Sequence, residues 1–392
     1  MELLASELDD VVSLAQGMPS FPSSEQIREY VKEAIDSNLV DKYSLCPGIL
    51  PLRQAVSDLI LKETGEYYHP NGEIIITVGA MGALSASLLT ITAPGNEIIL
   101  LTPTYPSYFN QVKIAGCKVV EVPLDQSSDW DVDILAIKKA INPRTKAILL
   151  CYPNNPTGTL YTIKQLKELA NIVIEHDLYL IVDEVYKYFI YDSSYHYFSL
   201  AGLPELRKHL MSIFGFSKTF ALTGWRVGYV YADKSITEQI LKVHDSLVTC
   251  APVISQYAAL AALHSGFSTF RTHLDHYTRR RDFFCDALEK MGMFDFSIPQ
   301  GSYYVFAKIK EQAYQALSAH KKHCAEFCQA LLYKTRVTTV PGIAFGQAGA
   351  GWVRFCFAKS DQELKEALHR LNNNFAHLRP VQNIIRPEGI FS

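Results

Sequence analysis

Seven short apolar runs, separated by segments with helical spacing, constrain this chain more than any other feature. The runs are EIIITVG (73–79), NEIILLTP (96–103), CKVVEVPL (117–124), TKAILLCYP (145–153), LYLIVDEVY (178–186), LMSIFGFSK (210–218) and RVGYVYAD (226–233). They are rich in β-branched and aromatic residues, and most do not alternate with polar ones. Such runs suit strands covered on both faces. Between them lie patterns such as YTIKQLKELANIVIEHD (161–177), with apolar residues three and four apart. Strand–helix alternation of this kind predicts a doubly wound α/β domain with a mostly parallel, seven-stranded sheet over residues 45–275.

After residue 275 the pattern changes. A long helical stretch (273–292) leads into PQGSYYVFAKI (299–309) and GWVRFCFAK (351–359), which read as strands, with helices around 310–333 and 361–377. The sequence predicts a smaller α+β domain over 276–392, completed by an N-terminal arm, 1–44. The tail 379–392 has too little periodicity to assign.

The composition of the 392 residues, 48% apolar and 20% charged, is that of a globular chain long enough for two cores. A net charge of −3 without a long basic run argues against nucleic acid or a membrane surface as partner. The uncharged stretch 74–96 could span a bilayer. Gly79, Gly82, Pro94 and Gly95 within it favour a strand, a turn and a buried helix. The acidic start, MELLASELDD, reads as no secretory signal, so a cytoplasmic protein is expected. Eight scattered cysteines form no CxxC pair. Cys324 and Cys328, one helical turn apart near His320 and His323, make no convincing metal pattern, so free thiols and no metal are expected.

The chemistry concentrates at strand ends, where sheets of this kind bind ligands. Lys218 follows the apolar run 210–216. An amine there is costly unless neutralised or used covalently. A Schiff base with pyridoxal phosphate is the use that fits, with Arg226 on the phosphate. The plain alternative is a surface lysine at a strand exit. Gly79-Ala80-Met81-Gly82 opens a helix whose free N–H groups suit a phosphate, though an ordinary strand–helix turn reads the same. Asn155, in a turn after the fourth run, could donate to the cofactor's phenolic oxygen. Asp183 ends the fifth run, and a protonated pyridine nitrogen would be its partner; Tyr186 could also donate to the phenolic oxygen. An Asp that merely caps the next segment remains the alternative.

Together the pieces YSLCPGILPLR (43–53), TVGAMGAL (77–84), TPTYPSY (102–108), YPNNPTG (152–158), VDEVYKYF (182–189), SKTFALTGWRVGY (217–229), VPGIAFG (340–346) and WVRFCFA (352–358) resemble, in order and spacing, the fold-type I pyridoxal-phosphate enzymes of the class I/II aminotransferase family. The resemblance extends over residues 14–378. It implies that Lys218 carries the cofactor and moves the substrate's proton. It puts Asp183 on the pyridine nitrogen and Asn155 and Tyr186 on the phenolic oxygen. Arg226 and the Ala80 and Met81 backbone would take the phosphate, Tyr105 would stack on the ring, and Tyr43 would reach the neighbouring subunit's site in a homodimer. Arg354 would clamp the substrate α-carboxylate, with Gly17 letting the N-terminal segment pass close to it.

Two departures matter. Gly215 stands where many relatives have a phosphate-binding serine, a contact that Ser217 or a water would replace. Met81 stands where some dicarboxylate-preferring relatives carry lysine, which favours apolar or aromatic amino acids over aspartate. Leu14, Phe21 and Phe345 could line that side of the pocket or belong to the core. The implied reaction is ping-pong transamination with 2-oxoglutarate or pyruvate as acceptor. Aspartate transamination, carbon–sulfur β-elimination, cyclopropane formation and a non-catalytic cofactor sensor are the alternatives. The sensor is disfavoured because Lys218 and Arg354 are present and the arm before residue 45 is too short for a DNA-binding domain.

Overall fold

The computed structural model describes residues 1–192, 194–320 and 323–375. All seven apolar runs form strands of one sheet: β1 (Ile74–Thr77), β2 (Glu97–Thr102), β3 (Lys118–Pro123), β4 (Thr145–Cys151), β5 (Tyr179–Asp183), β6 (Leu210–Gly215) and β7 (Gly228–Ala232). Their order is β1-β7-β6-β5-β4-β2-β3. Only β7 runs antiparallel to its neighbours; the other pairings are parallel.

The unbroken hydrophobicity of these runs has a direct cause. Successive strand residues point to opposite faces. Ile98, Leu100, Leu149, Ile181, Ile213 and Val230 enter one buried cluster. Their neighbours Ile99, Leu101, Leu150, Val182, Phe214 and Tyr229 enter a second. Helices α1 (Glu25–Asp36), α2 (Leu50–Thr64), α5 (Ile163–Glu175) and α7 (Val253–Ser265) contribute to the second cluster. Helices α3 (Gly79–Ile91), α4 (Ser107–Ile114) and α6 (Lys234–Val248) contribute to the first. Helix α5 starts with a capping box, Thr162 bonding the Gln165 N–H and the Gln165 side chain returning to Thr162, which sets the helix start inside the predicted 161–177. The uncharged stretch 74–96 resolves into β1 and α3. Among the described residues, no helix is long and apolar enough to cross a membrane.

Helix α8 (Ser268–Met291) runs through residue 275 and leads to a four-stranded antiparallel sheet. Its strands are β8 (Phe294–Asp295), β9 (Tyr304–Ile309), β10 (Val340–Pro341) and β11 (Trp352–Cys356), in the order β10-β11-β9-β8. The strand expected from residue 299 begins only at Tyr304, because Ser302 adopts φ +57, which no strand residue takes. The helix expected over 310–333 is two helices, Glu311–Leu317 and α9 (Cys324–Thr335); Ser318 turns left-handed and ends the first. Helix α10 spans Asp361–Phe375, and the tail 379–392 lies outside the described residues. The N-terminal segment joins this part of the chain: Val12–Ser13 pairs in parallel with Val337–Thr338, and the Cys356 N–H donates to Leu14 O.

All eight cysteines are free and all but Cys46 are buried. Among the described residues, no group of three or more His, Cys, Asp or Glu side chains could hold a metal.

Leu149 lies fully buried at the centre of β4. Leu149→Ala is expected to lower the unfolding free energy by about 2–5 kcal/mol, the usual range for a buried leucine. Denaturant titration would measure it; a loss below about 1 kcal/mol would mean that the sheet core is less tightly packed than described.

Candidate active site

The strand ends converge by register. Asp183 pairs with Cys151 on one side and Ile213 on the other, and Gly228 lies opposite both Gly215 and Thr77. These positions border a cavity of about 760 Å³, within the usual range for small-molecule sites. Gly17, Ala80, Met81, Tyr105, Asn155, Asp183, Tyr186, Ser217, Lys218, Arg226 and Arg354, separated by up to 337 positions in sequence, all line it. Tyr43 does not. It is 86% exposed and away from its own chain's cavity. Leu14 and Phe345 are core residues, and Phe21 stacks on His273 with a ring separation of 4.0 Å. None of these three lines the cavity; the arm residues Ala15, Gln16, Gly17 and Met18 line it instead.

Lys218 sits in the short turn of helix Phe216–Thr219 that follows β6. Lys218 lines the cavity, and its Nζ donates to Gly17 O at 2.7 Å. Desolvation, aided by the nearby Arg354 and Arg226 charges, pulls its pKa from 10.5 down to about 8 against the opposing pull of Asp183. Asp183 is buried, and desolvation pushes its carboxyl upward. Tyr108 donates to its Oδ2 at 2.7 Å and the Val185 N–H to its Oδ1 at 3.1 Å, which offsets part of that cost. Burial also raises the Tyr186 phenol, which therefore stays protonated; its hydroxyl shares a hydrogen bond of 2.9 Å with Tyr304.

At the opposite wall, α3 begins without a side-chain cap, so its first N–H groups are free. Gly79 has φ +66, and a Cβ there would stand 2.9 Å from Arg226 Nη2. The glycine thus lets the guanidinium lie against the helix start. Arg226 itself has φ +53, a left-handed conformation uncommon for a side-chain-bearing residue, and its Nη1 donates to Thr223 O at 3.0 Å. A Cβ at Gly228 would stand 2.9 Å from Ala80 N, so β7 can press on the helix start only as glycine. Gly215 is tight in the same way, its Cβ position lying 3.3 Å from Ala80 Cβ. A side chain at Gly215 would need Ala80 to give way by a few tenths of an ångström.

Arg354, on β11, reaches across from the small sheet. Its Nη1 donates to Asn155 Oδ1 at 3.0 Å, its Nη2 donates to Ala15 O, and its guanidinium lies 4.1 Å from the Tyr304 ring centre. Its buried Nε has no hydrogen-bond partner among the described residues. An unsatisfied buried donor of a cation calls for an anionic acceptor. Gly17 could carry no side chain: a Cβ would lie 1.8 Å from Tyr304 Oη.

This donor set fits pyridoxal phosphate. The free helix start with Arg226 suits the phosphate, the buried Asp183 suits a protonated ring nitrogen, and an amine of lowered pKa suits the aldehyde. Sequence reasoning missed Tyr108, Tyr303 and Tyr304. Tyr108 lies in the first turn of α4, three residues after Tyr105, which precedes the helix; the two rings meet edge to face at 5.4 Å. Tyr303 and Tyr304 showed only as part of a strand; the available signal was that buried phenols require partners.

A family model for class I and II aminotransferases matches residues 9–371. An aromatic-amino-acid aminotransferase of Thermococcus litoralis is 36% identical, with 94% of this chain and 92% of that protein covered. An aspartate aminotransferase of Pyrococcus abyssi has the same identity and coverage. The crystal structure of an aromatic aminotransferase from Pyrococcus horikoshii superposes with a TM-score of 0.87 at 36% identity, covering 95% of this chain and 98% of that one.

In protein freed of cofactor, capture of pyridoxal phosphate should quicken with pH and level off above about 8, not near 10.5. The same shift makes folding more favourable as pH rises from about 8 towards 10.5, since only the unfolded chain then holds the lysine's proton. Below 8 both states hold it and the slope vanishes. Stopped-flow absorbance and urea titrations, with Lys218→Met as reference, check both; a reference with the same slope would locate the effect elsewhere.

Proposed function

The chain belongs to the class I and II aminotransferases, and within that family we propose that it transfers the amino group of an L-amino acid with an apolar or aromatic side chain to a 2-oxo acid such as 2-oxoglutarate or pyruvate. It is an enzyme of transamination, and pyridoxal phosphate is its cofactor. The observation that carries the substrate reading is the composition of the cavity wall. Its side-chain cations are Lys218, Arg226 and Arg354, each with a use in the reading below; the chain's first residues, Met1 and Glu2, also line it, and Met18, Met81, Val340, Pro341 and Ala344 are among its apolar residues. A side-chain carboxylate would need a further cation, and among the described residues of one chain no further lysine or arginine lines this wall. The name of the Thermococcus relative supports this reading, and that of the Pyrococcus abyssi relative supports aspartate as the alternative donor.

When bound, the cofactor supplies an aldehyde for covalent capture and a cationic ring that draws electrons from the substrate's α-carbon. In our reading Lys218 holds the aldehyde, then, displaced by the substrate's amine, takes the α-proton on Nζ and delivers it again. Asp183 keeps the ring nitrogen protonated, with Tyr108 and the Val185 N–H holding its carboxylate. Asn155, whose Oδ1 is committed to Arg354, and Tyr186 donate to the phenolic oxygen. Arg226 and the Ala80 and Met81 N–H groups hold the phosphate, with Ser217 beside them, and Tyr105 covers the ring. Arg354 keeps its bond to Asn155 and exchanges its bond to Ala15 for the substrate's α-carboxylate, and its unpartnered Nε becomes satisfied.

The same reading takes residues 45–275 as the cofactor-binding domain and 1–44 with 276–392 as the part that closes over the substrate. It pairs two copies as a homodimer, with the exposed Tyr43 of each serving its partner's site. Tyr43, Leu45 and Leu39, at 86%, 75% and 51% exposure, form an apolar stretch that supports such an interface. Eight free thiols support work in the cytoplasm.

With single amino acids and no oxo acid, the visible band of the loaded enzyme should convert to that of the pyridoxamine form, fastest with aromatic or large apolar donors. Fastest conversion by aspartate would instead select the alternative donor, and spontaneous recovery of the band with ammonia release would indicate a β-lyase. Arg354→Lys should keep cofactor affinity but lower kcat/KM for the amino acid about 10- to 100-fold, the effect of losing a charge-assisted hydrogen bond. Steady-state kinetics would show this, and an unchanged kcat/KM would remove Arg354 from the carboxylate site.

A further inference from the structure

The Gly17 carbonyl receives two donors at once. Lys218 Nζ approaches it at 2.7 Å and the Tyr303 hydroxyl at 3.0 Å. Both lone pairs of the oxygen are thereby used, so the carbonyl has one defined direction. The rest of the arm is fixed residue by residue. Leu14 is bonded on both sides, its N–H to Thr338 O and its O to Cys356 N, each at 2.8 Å, and Ala15 O accepts from Arg354. The Tyr304 hydroxyl occupies the space above the Gly17 Cα. Beyond Gly17 the described residues show no comparable chain of bonds until Ser20, which accepts from Arg280 Nη1 at 2.7 Å. Tyr303 therefore anchors the end of the bonded stretch.

Tyr303 is well built for this. It is fully buried, and its ring packs against Tyr186, Phe189 and Tyr304 at centroid separations of 5.2, 5.1 and 4.8 Å. A tyrosine has few rotamers to lose, and these contacts leave its hydroxyl little freedom. Its ring centre lies 6.0 Å from Lys218 Nζ, so it borders the amine without bonding to it.

The geometry points to Tyr303 as a positioning residue for proton transfer: its hydroxyl aims the Gly17 carbonyl at Lys218 Nζ and thereby orients the free amine. The inference rests on the reading of Lys218 as the group that moves the α-proton. A neutral amine has two hydrogens and one lone pair. Donating one hydrogen to a fixed carbonyl restricts rotation about the Cε–Nζ bond and leaves the lone pair among the positions facing the cavity. The substrate's C–H bond breaks, the N–H bond forms on Nζ, and the electron pair stays with the carbon and the cofactor conjugated to it. Orientation of this kind lowers the barrier without altering substrate binding. The Tyr303 hydroxyl touches neither substrate nor cofactor in this account.

Tyr303→Phe tests it, since the aromatic packing stays and Gly17 O keeps Lys218 as donor. Cofactor affinity and visible spectrum should match the parent enzyme, and the unfolding midpoint should drop only slightly, as for one lost neutral hydrogen bond. The single-turnover rate with an amino acid should fall about 3- to 10-fold, as for the loss of one neutral hydrogen bond. The amino-acid concentration for half-maximal rate should not change, and the rate ratio between α-protio and α-deuterio substrates should rise as proton transfer becomes more limiting. An unchanged rate and isotope ratio would overturn the inference. So would a loss confined to cofactor or substrate affinity, which is what a purely structural tyrosine would produce. A parent enzyme that shows no single turnover with any amino acid would instead overturn the proposed function, a result separable from failure of the Tyr303 inference.

Discussion

Removing Asp183 and the Lys218 amine from water costs several kcal/mol for each charge, and the surrounding structure is organised around limiting that cost. The two groups stand at the ends of neighbouring strands, β5 and just beyond β6. Tyr108 and the Val185 N–H stabilise the carboxylate, while the amine is left to shed its proton near pH 8. An uncharged lysine is a nucleophile and a base; a charged one is neither. The burial that makes the strand ends costly is thus also the source of their reactivity.

A second constraint is the meeting of two sheets at one cavity. The large sheet supplies Asp183, Lys218 and the helix start beside Arg226, whereas the small sheet supplies Arg354 and the Tyr303–Tyr304 pair. The N-terminal arm lies between them, with Ala15 O on Arg354 and Gly17 O on Lys218. Each of these carbonyls holds a cation of the site. On the proposed function, a substrate carboxylate reaching Arg354 would compete with the arm's own backbone, which would couple substrate binding to the position of the arm.

Much of the fold was legible because a buried parallel sheet leaves a plain trace: seven apolar runs, each as long as a strand, with helical spacing between them. The breaks were less legible. Ser302 and Ser318 take left-handed conformations that their side chains do not announce, so the strand read over 299–309 was started too early and the split after Leu317 was not marked. The site residues carried by turn-rich motifs, such as Asn155, Asp183, Lys218 and Arg226, were readable from chemistry at strand ends, and all line the cavity. Tyr108 and Tyr303 were not, since a tyrosine in an apolar segment looks like core until its hydroxyl finds a partner across 75 or 286 residues. For Leu14, Phe21 and Phe345 the sequence left pocket and core equally open, and the structure takes none of them into the cavity wall.

The central claim is that one amine, Lys218, holds the cofactor. Borohydride reduction of the loaded enzyme, followed by proteolysis and mass spectrometry, tests it directly. The account predicts a single pyridoxyl addition on the peptide containing Lys218. Stoichiometric addition on another lysine, such as the buried Lys187 paired with Glu63, or no addition at all, would contradict it.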